Sequence, residues 1–258
     1  PYSTILHGQA PLGRQLAVTG PGEAWHRGDR SKKTGYLFNN NSVDSLSCLL
    51  FHCSDTRLAT DTVITMECGR KYQDGTLSVT SDEDEEGDVT LTFTDHSGRT
   101  VLQRRKTGNG KWSDTYYIYD VCGSLTAVLP PAVASRLGTG RAFRSDEIEE
   151  IGQFAYLYLY DREGRAKKLP GCAWQLFVLD CMGRTVFSQD GEQRRRGEWV
   201  FTLRDRFGRD CVTGLCKGNF DVLGQGTPDF YMHAVRDDRA TGLHGYAAES
   251  PSGISVMP

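Results

Sequence analysis

The sequence lacks the simplest marks of a membrane-anchored chain. No apolar run approaches the roughly 20 residues that a helix needs to cross a bilayer, and no signal peptide is visible. The chain begins Pro1-Tyr2-Ser3 rather than with Met. We therefore expect it to be cut from a longer protein, in which case the missing signal says nothing about export.

The motifs that announce common enzymes and metal sites are missing as well. There is no Gly-x-Ser-x-Gly, no HExxH and no recognisable Cys/His pairing, and the six histidines are dispersed. The acidic run at 81–87 lacks the spacing of an EF-hand, so a solvated hairpin tip is favoured over a calcium loop. We predict no catalytic residue, no metal site, no cofactor and no enzymatic activity.

Cysteine and charge exclude two further classes of protein. The eight cysteines form neither a CxxC motif nor a dense cluster, which favours free, partly buried thiols over a disulfide framework. The net charge is -3 and the pI is near 6.1. Since no global basic field is present, we expect no nucleic-acid partner.

Glycine is abundant, with 29 copies against nine prolines, and 38% of residues are hydrophobic. This balance favours a packed core with many tight turns between short strands. One turn, Asp-x-x-Gly, recurs five times between apolar runs that read as strands, and Arg usually follows it. Its residues are Asp95, Gly98 and Arg99; Asp120 and Gly123; Asp161, Gly164 and Arg165; Asp180, Gly183 and Arg184; and Asp205, Gly208 and Arg209.

Elementary turn chemistry explains this pattern. Asp at the first position of a type I turn accepts from backbone amides, and Gly at the fourth reaches a left-handed conformation that gives a bulged hairpin. We expect each following Arg to reach the Asp of a neighbouring turn. We also expect the aromatic residues before the Asp, Tyr119 and Tyr160, to face the inner layer.

Two hairpins match closely enough to indicate an internal repeat of two strands. Both begin Gly-Arg-Thr-Val, at Gly98 and Gly183, and both place a Trp on the return strand. The next turn glycines, Gly123 and Gly208, each follow 25 residues later.

We predict an all-β fold of successive antiparallel hairpins that form a curved, partly open sheet, with a short helical insertion near 132–152. In the insertion, Ser145 is expected to cap a helix whose first turn is acidic. The chain divides into an irregular lead-in of loops and short strands at 1–62, the repeat array at 63–214 with its insertion at 131–152, and a weakly patterned segment at 215–258. In that last segment Phe230-Tyr231-Met232 is a candidate strand.

The array resembles the RHS, or YD-repeat, family, whose signature is Tyr-Asp followed two residues later by Gly-Arg. Tyr160-Asp161 with Gly164-Arg165 is a full match. Pro11-Leu12-Gly13-Arg14, Gly20-Pro21-Gly22-Glu23-Ala24-Trp25 and Val128-Leu129-Pro130-Pro131 are similar to the domain before the repeats in RHS proteins of Gram-negative gut bacteria. The resemblance covers about residues 1–214. It implies a wound β shell, which in many members encloses a C-terminal toxin domain, although this chain shows no such domain.

Six residues are candidates for ligand binding. The aromatic set could stack on sugars, although core packing is the favoured alternative, and the basic set could bind an acidic glycan or a partner, although a solvated hairpin tip is favoured. These residues are Trp112, Trp174 and Trp199, and Arg194, Arg195 and Arg196.

The expected function is structural: a segment of an RHS-type shell in an exported or surface-associated bacterial protein. The alternative is a carbohydrate-binding module at the cell surface. The expected partners are the rest of the array, a C-terminal cargo domain, and glycans under the alternative. Because a slice of such a sheet exposes edge strands, we expect self-association, or an edge covered by the lead-in or the C-terminal tail.

Overall fold

The structure is a computed structural model that describes residues 2–28, 30–57, 62–106, 108, 110–137, 141–160, 164–180, 182–205 and 207–217. This part of the chain forms seventeen strands, four short helices and one 3-10 turn, Asp44–Leu46. The strands up to the first helical insertion are β1 Thr4–His7, β2 Gln15–Thr19, β3 Ser31–Phe38, β4 Leu49–Arg57, β5 Thr62–Lys71, β6 Ser78–Glu83, β7 Val89–Thr94, β8 Thr100–Lys106, β9 Trp112–Tyr119 and β10 Leu125–Leu129.

The remaining strands are β11 Arg141–Arg144, β12 Tyr156–Tyr160, β13 Gly164–Lys168, β14 Gln175–Leu179, β15 Thr185–Gln189, β16 Glu198–Arg204 and β17 Asp210–Lys217. The helices are α1 Glu23–Arg27, α2 Pro131–Ala134, α3 Glu149–Phe154 and α4 Gly191–Arg196. Within the described residues, the strand pairs with a defined register are antiparallel. The all-β prediction, with short helices inserted among hairpins, is confirmed.

The chain divides into two compact units. Unit 1 comprises Pro1–Cys53 and Met66–Phe143, and unit 2 comprises Ser54–Thr65 and the chain from Arg144. In unit 1 the strand order is β1-β2-β3-β6-β7-β8-β9-β10, and in unit 2 it is β12 to β17 in chain order. A separate three-stranded sheet has the order β11-β5-β4.

One face of each run of strands carries the core because apolar residues alternate along the strands. In β7, for example, Leu91 and Phe93 are buried while Thr92 between them is not. The buried core of unit 1 includes Leu77, Val79, Leu91, Phe93, Leu102, Tyr116, Ile118, Ala127 and Leu129. The core of unit 2 includes Ile151, Leu157, Leu159, Ala166, Val178, Phe187, Trp199 and Phe201.

The internal repeat is larger than the sequence indicates: β13–β17 reproduces β6–β10 with every residue 85 positions further along the chain. Phe93 pairs with Leu102 in the first set, and Val178 pairs with Phe187 in the second. The bulge after Phe93 recurs after Val178. The bulges in β9–β10 and β16–β17 also fall at equivalent positions. Each unit therefore contains one copy of a five-strand module.

The module corrects one part of the predicted repeat. The residue 85 positions after Trp112 is Gly197, so Trp112 is not the counterpart of Trp199. Trp199 instead occupies the position that Asp114 has in unit 1, because it lies 85 positions after Asp114. The two tryptophans therefore lie at different positions of their respective hairpins.

The helical insertion is present but is not a continuous helix, because β11 separates α2 from α3. Glu149 and Glu150 occupy the first turn of α3, as predicted, but its N-cap residue is Ile148. Ser145 does not cap the helix. Its Oγ accepts a hydrogen bond from Ile64 N at 3.1 Å, and its own N–H donates to Ile64 O at 2.8 Å. Ser145 therefore bonds to strand β5 instead of to the first turn of α3.

Two other expectations change. The acidic run is not wholly a hairpin tip, because β6 extends to Glu83 and only the four residues from Asp84 to Gly87 turn the chain. The lead-in contributes three regular strands, β1 to β3, to the unit 1 sheet. Phe230-Tyr231-Met232 lies outside the described residues. Within the described residues, no helix is long and apolar enough to cross a membrane.

Candidate functional site

The recurrent turn has one geometry wherever its residues are described. At Asp95, Oδ1 accepts from the backbone N–H groups of Ser97 at 2.8 Å and Arg99 at 2.9 Å. The backbone N–H of Gly98 donates to Asp95 O at 3.0 Å, and Gly98 has a φ of 78°. The carboxylate thus satisfies amides that the bulge leaves unpaired, as the turn chemistry predicts.

The turns at Asp180 and Asp205 repeat this arrangement. Asp180 Oδ1 accepts from Met182 N and Arg184 N, each at 2.9 Å. Asp205 Oδ1 accepts from Phe207 N and Arg209 N at the same distance. The glycines Gly183 and Gly208 have φ values of 75° and 83°.

The turn at Asp120 keeps the core of the geometry without an Arg. Asp120 Oδ1 accepts from Ser124 N at 2.8 Å, and Gly123 has a φ of 84°. Asp161 lies outside the described residues. Gly164 and Arg165 begin β13, where Arg165 pairs directly with Tyr160 across the strands.

A further copy of the turn, within the described residues, escaped sequence reasoning. Asp84 Oδ1 accepts from Glu86 N at 3.0 Å and Asp88 N at 2.9 Å, and Gly87 has a φ of 86°. The signal was present as Asp84-x-x-Gly87, but the surrounding acidic residues and the missing Arg hid it.

In the three described turns that carry an arginine, it binds the Asp of its own turn, whereas the prediction placed it on the Asp of a neighbouring turn. The Nε atoms of Arg99, Arg184 and Arg209 donate to Oδ2 of Asp95, Asp180 and Asp205 at 2.8, 2.7 and 2.7 Å. The reason is geometric: the bulge places the Arg backbone against the same carboxylate, and the side chain then folds back over it.

Two of these arginines nevertheless reach the next turn, at its glycine. A Cβ atom on Gly123 would lie 2.7 Å from Nη1 of Arg99, and one on Gly208 would lie 3.1 Å from Nη1 of Arg184. The two contacts are equivalent in the module. Successive turns are therefore braced, but through guanidinium against backbone rather than through ion pairs.

The residue before the Asp adds a second brace. Tyr119 Oη donates to Thr100 O at 2.9 Å, and the Arg99 guanidinium lies 5.0 Å from the Tyr119 ring centroid. In unit 2, Arg204 takes the place of Tyr119 and donates to Thr185 O.

The prediction that Tyr119 and Tyr160 face the inner layer is wrong. Their strand neighbours Ile118 and Leu159 are the buried residues, whereas Tyr160 is 42% exposed. Since successive side chains on a strand point to opposite faces, both tyrosines lie on the face opposite the core.

Hydrogen bonding tunes the acidity of the turn carboxylates. Burial alone raises the pKa of Asp95 and Asp180, but hydrogen bonds from the backbone and guanidinium groups of Arg99 and Arg184 outweigh it and hold both pKa values below 3.8. The backbone hydrogen bond from Arg209 is the main cause that lowers the pKa of Asp205. These carboxylates are therefore charged structural groups near neutral pH.

The three tryptophans do not share one environment. Trp199 is 1% exposed, so its ring is part of the unit 2 core and cannot stack on a ligand. Trp112 is 36% exposed at the start of β9 in unit 1, and Trp174 is half-buried in unit 2. For Trp112 and Trp174 a binding role stays a prediction.

The basic triplet lies at the tip of the β15–β16 hairpin, as expected, where it forms the last turn of α4. Asp190 and Gln193 form a capping box at the start of this helix, and Gly197 ends it in a left-handed conformation. Arg194 donates to Trp174 O at 2.6 Å, Arg195 pairs with Glu192, and Arg196 pairs with Glu198 at 2.9 Å. The three positive charges therefore interact favourably with the negative C-terminal end of the helix dipole. The charges of Arg195 and Arg196 are also partly neutralised by their ion pairs.

A buried polar cluster in unit 1 was not foreseen. Arg104 is 7% exposed and forms two hydrogen bonds of 2.7 Å with the carboxylate of Asp114, which faces it across the β8–β9 pair. Its Nη1 also donates to the carbonyls of Asp44, Ser45 and Ser47 at 2.8–3.0 Å. Nothing local in the sequence identifies it, because its partners lie up to 60 residues away.

The cluster is structural rather than reactive. Burial raises the pKa of the neighbouring Cys48 thiol to about 12 and, in unit 2, that of Cys216 to about 11. Both thiols are therefore protonated and poor nucleophiles. Among the described residues, Cys48, Cys68, Cys122, Cys172, Cys211 and Cys216 are free thiols, and no group of three His, Cys, Asp or Glu side chains is placed to hold a metal ion.

The chain matches no known protein family and no curated protein. The geometry of the turns and of the module is therefore the basis for any functional proposal.

Proposed function

We propose that this chain is a structural segment of an RHS-type β shell in an exported or surface-associated bacterial protein. The observation that supports it most is the 85-residue module, in which five strands recur with the same register and the same bulges. Repetition of a supersecondary unit is typical of extended arrays whose units depend on their neighbours.

The braces between turns support the same role. Arg99 lies against Gly123 and Arg184 against Gly208, so each hairpin stabilises the one that follows it. The Asp and Arg side chains of the turns at Asp95, Asp180 and Asp205 are engaged in contacts within the turn. These contacts serve the continuity of the sheet.

The test is electron cryomicroscopy of the longer protein in which we expect this chain to occur. If the chain is a shell segment, its sheet should continue into strands of the flanking sequence. Its partners should then be the rest of the array and an enclosed cargo domain. A separate domain joined by linkers would contradict the proposal and favour a surface-binding module.

Limited proteolysis gives a second readout in the same protein. Gly123→Val and Gly208→Val disrupt two braced turns and should expose enclosed sequence to protease. Gly108→Ala is the control, because Gly108 has an ordinary φ and no heavy atom within 4 Å of the added Cβ. Equal protection in the turn variants and the control would count against a shell.

A further inference from the structure

Exposed apolar side chains are concentrated in the lead-in strands of unit 1. Of the nineteen large hydrophobic side chains that are exposed in the described part of the chain, nine lie between residues 2 and 38. Single exposed apolar residues are normal on a protein surface, whereas a contiguous patch marks an interaction site. Strand register decides which of the nine form such a patch.

Alternation along β3 places two aromatic rings on the side away from the core. Leu37 pairs with the buried Val79, so the side chain of Leu37 continues the core side of the sheet. Tyr36 and Phe38 flank Leu37 and therefore project from the opposite side. Tyr36 is 41% exposed and Phe38 is 66% exposed, so both rings present apolar surface to solvent.

The two preceding strands add aliphatic side chains to the same side. Lys32, four residues before Tyr36 on β3, pairs with Val18 on β2, and Val18 pairs with Ile5 on β1. Leu16 is two residues from Val18 and shares its side, and both Ile5 and Leu16 are exposed. The patch, here called the β1–β3 outer face, consists of Ile5, Leu16, Tyr36 and Phe38.

The next strands of the sheet show that the fold does not require this apolar surface. Tyr36 pairs with Thr80 on β6, and Thr80 pairs with Thr92 on β7. Phe38 pairs with Ser78. The outer side of β6 and β7 thus carries hydroxyl groups at the register positions where β3 carries rings. Strand pairing therefore does not explain the rings of β3.

Two cations border the β1–β3 outer face. The Arg14 guanidinium lies 4.7 Å from the Tyr36 ring centroid, and a cation held over a ring keeps its charge. Lys32 Nζ lies 3.8 Å from Asp82 Oδ1, and both side chains are exposed. Because such an exposed pair is weak, the Lys32 ammonium can exchange this contact for another anion.

The lead-in also differs in charge from the whole chain. Residues 1–38 contain five Lys and Arg residues against two acids, Glu23 and Asp29, although the full chain has a net charge of -3. Positive charge combined with exposed aromatic and aliphatic side chains is typical of surfaces that lie on anionic membranes.

We infer that the β1–β3 outer face docks on an anionic lipid surface. Its four apolar side chains enter the boundary between headgroups and acyl chains, where the polar end of Tyr36 stays at headgroup level. Arg14 and Lys32 contact the lipid phosphates. The backbone groups of β2 and β3 are paired with strands on both sides, so docking leaves none of them unsatisfied in an apolar phase. The inference does not rest on the shell proposal.

Flotation of the full chain with lipid vesicles tests the inference. We expect binding to vesicles of phosphatidylcholine and phosphatidylglycerol in equal parts, much weaker binding to phosphatidylcholine alone, and a smaller difference at high salt. Tyr36→Ser/Phe38→Ser should weaken binding to the mixed vesicles by about tenfold or more, because two rings no longer leave water. Arg14→Gln/Lys32→Gln should weaken it by about tenfold, whereas Arg14→Lys/Lys32→Arg should retain most of it.

Matched controls remove similar groups from unit 2. Tyr156→Ser removes a ring that is 39% exposed, and Arg195→Gln/Arg196→Gln removes two exposed charges of α4. Neither control should change binding, and circular dichroism establishes that each variant is folded before binding is compared.

Sedimentation without vesicles identifies a competing occupant, since a second copy on the β1–β3 outer face would form an oligomer that Tyr36→Ser/Phe38→Ser dissociates. That dissociation would overturn the inference. So would the absence of flotation with mixed vesicles, equal binding to the neutral vesicles, or equal losses in the control variants.

Discussion

At the scale of single residues, the turn glycines have two distinct reasons to be glycine. All of Gly98, Gly123, Gly183 and Gly208 have a positive φ, which other residues adopt at a cost. Gly123 and Gly208 also lie beneath the guanidinium of the preceding turn's Arg, where a Cβ would intrude. Gly98 and Gly183 face open space.

This difference predicts unequal effects of the same substitution. Gly98→Ala should destabilise the protein by about 1–2 kcal/mol because of its φ alone. Gly123→Ala should cost more, since Nη1 of Arg99 stands 2.7 Å from the new Cβ and must move. Urea denaturation measures both, and a Gly123→Ala variant as stable as Gly98→Ala would show that the brace contributes nothing.

The turn carboxylates predict how stability depends on pH. Because the folded pKa values of Asp95, Asp180 and Asp205 lie below 3.8, their contribution is fully present well above pH 4. It is lost as the pH falls through the folded pKa values.

Asp180→Asn tests this dependence, since the amide can still accept from the backbone but cannot pair with Arg184. Between about pH 5 and pH 2, the urea midpoint of the variant should fall less steeply than that of the native protein. Parallel curves would mean that Asp180 is not linked to folding.

At the scale of elements, the two copies of the module place different residues at one equivalent pair of positions on their second hairpin. Unit 1 places Arg104 opposite Asp114 and uses the pair to hold the turn at Asp44–Leu46. In unit 2 the corresponding residues are Gln189 and Trp199, both buried. One module anchors a loop there, and the other fills its core.

Removal of Arg104 should therefore be severe. Arg104→Met leaves the Asp114 carboxylate and three carbonyls without their donor, which we expect to cost about 3–5 kcal/mol. Arg105→Met is the control, because its ion pair with Asp88 is exposed and worth about 0–1 kcal/mol. Chemical denaturation of both variants gives the comparison, and equal losses would contradict a buried anchor.

The features that could be predicted from the sequence are those that depend on neighbouring residues. Turn residues such as Asp95 and Gly98 form their hydrogen bonds within five positions of the chain, so the hairpins and the all-β class could be predicted from the sequence. Arg104, Ser145 and Trp199 could not be assigned, because their contacts are set by strand register and by partners distant in sequence.

At the scale of the whole molecule, β17 predicts self-association. In the described part of the chain it pairs with β16 alone, and Val212 and Leu215 on it are exposed. An unprotected edge strand is a template for another strand. Sedimentation should therefore show an association that increases with concentration.

A charged residue on the edge should suppress that association. Val212→Lys/Leu215→Lys should shift the protein toward the monomer, whereas Thr202→Lys on the interior strand β16 should not. A native protein that stays monomeric at high concentration would show that another segment covers the edge.

The 85-residue period also constrains how such a chain can change in length. Loss or gain of one residue within a strand reverses which side chains face the core, so ordinary small indels are excluded there. Removal of 85 residues between equivalent positions joins two strands that already have the same pairing register, the same bulge and the same residues facing the core. Variation in length among descendants of this sequence should therefore come in whole modules, and intermediate lengths should be confined to the turns and to the insertion between β10 and β12.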